Sequence, residues 1–300
     1  MDVMQSMAVF RRVAEAGSFS AVARETAMSQ SSVSKHVAAL EERLGAKLLN
    51  RSTRQISLTE AGNEYYHYCV RILNAFQEAE ASIGKGKILP TGTLRVSSTT
   101  PFGKVFLLPC LNDFLQQYPD ISVDYIMEDR HIDLLKEGID LAIRVGPLED
   151  SSLIARKIGS GRRVVVASPQ YLLKHGFPKT PSELQKHNCL LYSRLKSPKE
   201  WVFHSAQHGD ESVQVDGRLR VSSNEAMIEA ALNGIGIACL CEWHVRDPVK
   251  RGKLTVLLQK YQLTPYDIHA VYPERKFVPQ KVKCLIEHLR EQLKQFDNAS

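Results

Sequence analysis

Apolar positions in the first sixty residues recur every three or four places, the period of helices that bury one face. Met7, Phe10, Val13 and Ala14 mark such a face, and Ala16-Gly17 ends it, because glycine readily takes the left-handed conformation that stops a helix. Ser18 then caps a second helix carrying Phe19, Val22, Ala23 and Thr26, and Ala27-Met28-Ser29 is just long enough for a tight turn into a third. In that third helix the buried stripe is Val33, Val37, Leu40 and Leu44, which turns Gln30, Ser31, Ser34 and Lys35 outward near the N-terminal end. A recognition helix places that end in the major groove of DNA. Gln can pair with an adenine edge, serines reach base or phosphate, and Lys supplies a phosphate counter-charge. An ordinary solvated polar face has the same composition, so these residues leave both readings open. Beyond Gly45, the segment Lys47 to Leu58 predicts a small hairpin wing, with Arg51 and Arg54 at its tip and alternating Ile56 and Leu58 behind.

The next pattern is longer. Thr59 is placed to cap a helix with Glu60 and Glu64 in its first turns, where the dipole favours acids, and the helix runs to about Ile83. Leu58, Gly62, Tyr65, Cys69, Ile72, Phe76, Ala79 and Ile83 alternate spacings of four and three, the heptad pattern of a helix that pairs with another. A dimer through Tyr65, Cys69, Ile72, Phe76, Ala79 and Ile83 follows; the alternative is one helix packed on its own domain. Gly84, Gly86, Pro90 and Gly92 then supply a hinge.

From Thr93 onward strand-like and helical runs alternate: Leu94 to Ser97, a helix from Pro109 to Gln117, Ile121 to Ile126, a helix from Ile132 to Glu137, and Leu141 to Ile143. A second series follows, with Arg163 to Ala167, Val213 to Val221, a helix from Asn224 to Asn233, Gly236 to Leu240, Ile268 to Tyr272 and a helix from Pro279 to Gln295. Such alternation predicts α/β sheets with helices on their faces. Two strand ends lead into polar segments before a helix, Thr99-Thr100-Pro101 with Phe102, and Ser222-Ser223-Asn224. Ligands in open α/β sheets sit beyond such ends, where helix N-termini and hydroxyls hold an anion. The alternative is that Thr100 and Ser223 only cap their helices. Asp129, with Glu128, sets acid at the rim and Arg144 offers a base, so the ligand's charge stays open.

Composition narrows the class without changing this outline. A chain of 300 residues that is 43% hydrophobic can build two or three packed domains, and a formal charge of +6 is compatible with a polyanionic partner. The cysteines at 69, 110, 189, 239, 241 and 284 form no Cys-x-x-Cys pair, which argues against a zinc ribbon and fits a reducing, cytoplasmic setting. The polar start at Asp2 and Gln5 lacks the form of an export signal, and no apolar run approaches a membrane span. Gly234-Ile235-Gly236 precedes a strand where a dinucleotide fingerprint would open a helix. His204 and His208 lack a third ligand at useful spacing, and Cys239 and Cys241 fall on one face of a strand as buried neighbours or a redox pair. No catalytic residue, metal or cofactor is expected, because no nucleophile-and-base arrangement stands out.

Ser18-Phe19-Ser20, Gln30-Ser31-Ser32-Val33-Ser34, Leu40-Glu41-x-x-Leu44-Gly45, Leu48-Leu49-Asn50-Arg51 and Leu58-Thr59-Glu60-Ala61-Gly62, in that order, resemble the LysR-type transcription regulators. Val22 stands where alanine is usual there, and Leu49 where phenylalanine is frequent. Phe114-Leu115-x-x-Tyr118-Pro119-Asp120-Ile121 and Asp140-Leu141-Ala142-Ile143-Arg144-Val145-Gly146 are similar to the family's effector domain, and Pro147 to Arg156 to its CrgA-like branch. The resemblance implies a winged helix-turn-helix over 1–58, a dimerising linker helix over 59–84, a hinge over 85–92 and an effector-binding domain over 93–300. That domain would be periplasmic-binding-protein-like, with subdomain I at about 93–162 and 268–300, subdomain II at about 163–267, and crossover strands near Arg163 and Ile268. It further implies that Gln30, Ser31, Ser34 and Lys35 meet a pseudo-palindromic double-stranded DNA operator and that Arg51 and Arg54 hold its backbone. Ser18 and Ser20 join the candidate contacts. Thr99, Thr100, Phe102, Asp129, Arg144, Ser222 and Ser223 are the candidate effector residues. Implied partners are the operator, a second copy of the chain in dimers and larger oligomers, a small-molecule effector and, left open, RNA polymerase; no membrane is implied. An enzyme or solute-binding protein on the same two-subdomain fold is the rival, as is a non-specific architectural DNA binder.

Overall fold

A computed structural model describes residues 2–51, 56–83, 90–130, 132–148, 152–205, 209–274 and 278–298. Its backbone divides into two compact units: residues 1–92 with 132–139 and 277–281, and the remainder.

In the first unit the helical spacing produces α1 (Val3–Ala16), α2 (Phe19–Glu25) and α3 (Gln30–Leu44), followed by strands β1 (Leu49–Arg51) and β2 (Ile56–Leu58) and helix α4 (Glu60–Ile83). Asp2 caps α1, Gly17 ends α1 in the left-handed conformation its position in the pattern predicts, and Gly45 ends α3 in the same way. Phe10, Val13, Val22, Val33, Val37, Leu40 and Leu48 form the core, closed by Cys69 and Leu73 of α4. Inside it, the Ser6 hydroxyl donates to the Asp2 carbonyl at 2.8 Å and lies 2.9 Å from His36 Nδ1. With that hydroxyl hydrogen committed, the ring nitrogen donates, so a polar link ties α1 to α3 within an apolar core.

A second buried polar group positions the wing. Glu41, 4% exposed, accepts from the Leu48 and Leu49 N–H groups at 3.0 and 3.3 Å and from Lys47 Nζ at 2.8 Å. Thr59 donates to the Lys47 carbonyl at 2.6 Å and accepts from the Gly62 N–H at 2.9 Å, which starts α4 beside the wing. A Cβ at residue 62 would collide with the Leu48 carbonyl oxygen, so only glycine lets α4 approach this closely.

The second unit opens with β3 (Gly92–Ser98), the single turn α5 (Thr100–Phe102), a π-turn over Gly103–Leu107 and α6 (Leu108–Gln117), then β4 (Ile121–Met127), β5 (Leu141–Val145) and β6 (Leu153–Gly161). It continues with β7 (Arg163–Ala167), α7 (Pro169–His175), β8 (Leu191–Tyr192), β9 (Glu200–Ser205), β10 (Gly209–Gln214), β11 (Arg220–Val221), α8 (Asn224–Leu232), β12 (Ala238–Cys241) and α9 (Glu242–Lys250). Strands β13 (Thr255–Leu257), β14 (Gln262–Leu263) and β15 (Tyr266–Pro273) and helix α10 (Gln280–Asn298) close the chain. One sheet has the order β4-β3-β5-β15-β6, with β3 and β5 parallel and β15 antiparallel to both its neighbours. Others have the orders β12-β7-β13, β10-β9-β14 and β11-β8. The chain passes between the first sheet and the rest at Arg162, where β6 gives way to β7, and at Thr264-Pro265, where β14 gives way to β15.

Several expected elements differ. Ile132 to Glu137 is not a helix: the Asp133 carboxylate accepts from the Leu135 and Lys136 N–H groups at 3.1 Å each, folding a turn that Gly138 ends at positive φ, and residues 132–139 group with the first unit. The run Val213 to Val221 is not one strand, because Gly217 lies so close to the Cys189 carbonyl that a Cβ would collide there; β10 ends before it and β11 starts after it. Strand β6 carries Arg156 and Lys157 at a sheet edge, where a polar sequence hides the strand period.

Burial works to raise the Glu41 pKa, but the Lys47 ammonium and two backbone N–H groups outweigh it and hold the carboxyl below its ordinary value. The stabilisation is therefore complete above about pH 4.3, the unfolded-chain value, and is lost as pH falls through the lower folded value. Glu41→Gln should cost about 1.5–3 kcal/mol in urea melts at pH 7, the worth of charged hydrogen bonds. At pH 3 the gap from the wild type should narrow; an equal gap at both pH values would mean the charge contributes nothing.

Candidate nucleic-acid interface and ligand cleft

Ser29 fixes the start of α3: its hydroxyl accepts from the Ser32 N–H at 3.1 Å and lies 2.9 Å from the Ser31 hydroxyl. Gln30, Ser31 and Lys35 are exposed there and Ser34 is half-buried, so α3 brings the four candidates to its N-terminal end. Ser20 on α2 is also exposed. Ser18 is half-buried and caps α2 as expected, its hydroxyl accepting from the Ala21 N–H at 3.2 Å. Arg51 belongs to β1, but its side chain and the whole of Arg54 lie outside the described residues.

Helix α4 serves two surfaces, and this corrects the dimer seam. Cys69 is wholly buried in the core of its own domain, and Tyr65 packs against that core with its ring 5.8 Å from Phe10. A 3.6-residue helix drifts relative to a strict heptad, so the seam read from spacing turns into the domain at its N-terminal end. Ile72 and Phe76, 41% and 48% exposed, face outward with Tyr68. The side chains of Ala79 and Ile83 lie outside the described residues.

In the second unit α5 and α8 start beside each other: Lys104 Nζ, in the π-turn after α5, lies 2.6 Å from Glu225 Oε1 at the start of α8. The two polar segments expected to share a cleft are therefore brought together. Thr99, rather than Thr100, stands at the cap position of α5, and neither its hydroxyl nor that of Ser223 on α8 makes a capping bond. The Thr100 N–H donates to Asp129 Oδ1 at 3.0 Å, so an internal carboxylate occupies the position expected for a ligand anion. Phe102 is a core residue and not a cleft contact: it is 1% exposed, with its ring 5.2 Å from Phe106 and 5.8 Å from Trp243. The Ser222 carbonyl accepts from Arg194 Nε at 2.8 Å. Arg144 lies half-buried in β5, with its pKa pushed down by burial, opposite His269 on β15.

Arg163, which is not among the expected site residues, has a guanidinium that donates to Cys239 Sγ at 2.9 Å and lies 4.2 Å over the Tyr266 ring. Burial pushes the Cys239 thiol up, against the pull of Arg163, so the sulfur faces the cation as a neutral thiol. No local signal marks this cluster, since its members come from β7, β12 and β15. His204 bonds Asp210 at 2.8 Å and Thr264 at 2.7 Å, and His208 lies outside the described residues. Among the described residues no cluster of metal-binding side chains occurs, and no helix is long and apolar enough to cross a membrane.

Residues 4–63 match the family described as bacterial regulatory helix-turn-helix protein, lysR family, and residues 88–294 match the LysR substrate binding domain. The chain is 37% identical over 290 residues to the transcriptional regulator CrgA of Neisseria meningitidis serogroup C, covering 96% of each chain. It is 36% identical over 291 residues to the transcriptional activator AaeR of Escherichia coli, covering 97% of this chain and 94% of that one. The solved structure of CrgA from Neisseria meningitidis superimposes with a TM-score of 0.59 at 37% identity, over 96% of this chain and 98% of the other.

Proposed function

The chain belongs to the LysR family of transcription regulators, with a helix-turn-helix DNA-binding domain and an effector-binding domain, and on that premise we propose which residues read, assemble and sense. It acts by binding and not by catalysis, as a dimer or larger oligomer on a pseudo-palindromic operator. The observation that carries the reading is the exposed cluster Gln30, Ser31 and Lys35 at the capped end of α3. Gln30 reads a base edge, while Lys35, with Arg51 and Arg54 of the wing, holds phosphates. Tyr68, Ile72 and Phe76 supply the exposed face of α4 that pairs with a second copy, and a small ligand is held between the starts of α5 and α8 by Thr100 and Ser223.

Gln30→Ala should weaken binding to the selected operator by about 1–3 kcal/mol and leave random DNA nearly untouched. Lys35→Ala should weaken both alike and flatten the salt dependence, because it removes a phosphate contact. Band shifts on operator and scrambled duplexes at several salt concentrations make the comparison, and equal losses for Gln30→Ala would remove α3 from the recognition role.

For assembly, Ile72→Asp places an uncompensated charge in the proposed pairing face, a penalty of several kcal/mol. Sedimentation should register dissociation with melting of the DNA-binding domain preserved, whereas Cys69→Asp should unfold that domain. An intact Ile72→Asp dimer that still binds operator would place the assembly contact elsewhere.

For sensing, Thr100→Val keeps the shape and removes the hydroxyl. It should reduce the effector response by about 1 kcal/mol or more without changing effector-free operator binding, since no capping bond is at stake. Lowered thermal stability with an intact response, in both Thr100→Val and Ser223→Ala, would count against these residues as ligand contacts.

A further inference from the structure

A network of charged side chains and one tyrosine joins three helices of the DNA-binding unit outside its apolar core. Arg12 on α1 forks onto the last turn of α2: its Nε lies 2.7 Å from Glu25 Oε1 and its Nη2 lies 2.7 Å from Glu25 Oε2. The remaining nitrogen, Nη1, bonds Glu15 on the same helix. The other oxygen of Glu15 accepts from the Tyr66 hydroxyl of α4 at 3.1 Å, while the Tyr66 ring packs on the core. An isolated exposed ion pair holds little, but a two-pronged arginine–carboxylate pair inside a network fixes orientation as well as distance.

Apolar packing is non-directional, so burial of Cys69 and Leu73 holds α4 to the core more firmly than it fixes the direction in which the helix leaves. Thr59 bonds the start of α4 to Lys47. Tyr66 bonds it to Glu15 about two turns further on, and two separated anchors define an axis where one defines only a point. At the far end of the network, Glu25 closes α2 just before the tight turn into α3. In that turn Ala27 takes φ 52°, a left-handed conformation unfavourable for a residue with a side chain. Such a conformation persists only where its surroundings impose it. Here the fork of Arg12 on Glu25 and the Met28 N–H, which donates to the Ala23 carbonyl at 3.0 Å, hold the end of α2.

We propose that Tyr66, Glu15, Arg12 and Glu25 are positioning residues that fix the direction of α4 against the start of α3, and so set which separation of operator half-sites the dimer accepts. The proposal rests on the pairing of two copies through the exposed face of α4 at Ile72 and Phe76, which lies beyond Tyr66 along the helix. A change in the angle of α4 at Tyr66 swings the helix-turn-helix relative to that face. Each α3 still reads its own half-site, but the two no longer meet both half-sites at the same time. The four residues act through α3 and not by touching DNA.

The full chain is compared in band shifts on the selected operator, on the same operator with its half-sites moved two base pairs further apart, and on a duplex with one half-site scrambled. Two added base pairs rotate one half-site by about 70° around the duplex axis. The wild type should favour the selected spacing. Tyr66→Phe keeps the ring on the core and removes only the hydroxyl; it should cut that preference at least about threefold and bind the scrambled duplex as the wild type does. Arg12→Gln should act in the same direction. A loss of affinity shared equally by all the duplexes, with a lowered melting temperature, would mark the network as merely stabilising and overturn the assignment, as would an unchanged spacing preference in both variants. A wild type indifferent to spacing would instead overturn the paired-operator reading itself, and the positioning role with it.

Discussion

The carboxylate of Glu41 sits where three parts of the DNA-binding domain meet. It belongs to α3, yet it accepts from the backbone at the entry to β1 and from the ammonium of Lys47. A helix end bonded only to itself would let the chain leave Gly45 in many directions. Here a buried acceptor fixes the first two N–H groups of the wing, and the Lys47 carbonyl on the same segment takes the Thr59 hydroxyl that starts α4. Helix α3, the β1–β2 hairpin and helix α4 are therefore set by one short segment, Lys47 to Leu49. Stripping the carboxylate of its partners would leave a buried charge uncompensated, so the arrangement is also a strong constraint on sequence.

That constraint explains why the first eighty residues are so legible. The helix-turn-helix is made of local signals: stop glycines at 17 and 45, serine caps at 18 and 29, and stripes at helical spacing. Glu41 and Gly62 stand in the motifs quoted from the sequence, but their reason emerges only when the wing is packed. Ser18 illustrates the limit of residue type, because a hydroxyl suited to a phosphate is equally suited to a helix N-terminus. The heptad in α4 illustrates the limit of spacing. Periodicity says which residues share a face and not what covers it, and at Cys69 the cover is the helix's own domain.

The effector domain was legible as alternation and much less so as a site. Strands β3, β5, β7 and β15 are apolar runs with clear ends, and their positions follow from the sequence to within a few residues. The rest depends on non-local partners. Asp133 folds a turn where helical spacing predicts a helix, Gly217 interrupts a run that alternates like one strand, and edge strand β6 is disguised by its charges. Lys104 and Glu225 meet across 121 positions of sequence, and Arg163 gathers neighbours from three strands. No window of a few residues contains such information.

Asp129 gives the cleft its chemical character. Its carboxylate accepts from the Thr100 N–H, the place where a ligand anion would be drawn by a helix start. A ligand bound there must either displace a charged hydrogen bond or leave it in place and present donors or neutral groups to the rim. The first course demands that Asp129 find another partner, because a carboxylate left without one in a closed cleft is costly. The second favours ligands whose anionic charge, if any, is directed away from α5. Arg163, by contrast, is a buried cation facing a neutral thiol and an aromatic face. A buried cation thus stands beside the passage from β6 to β7, and a carboxylate stands at the start of α5.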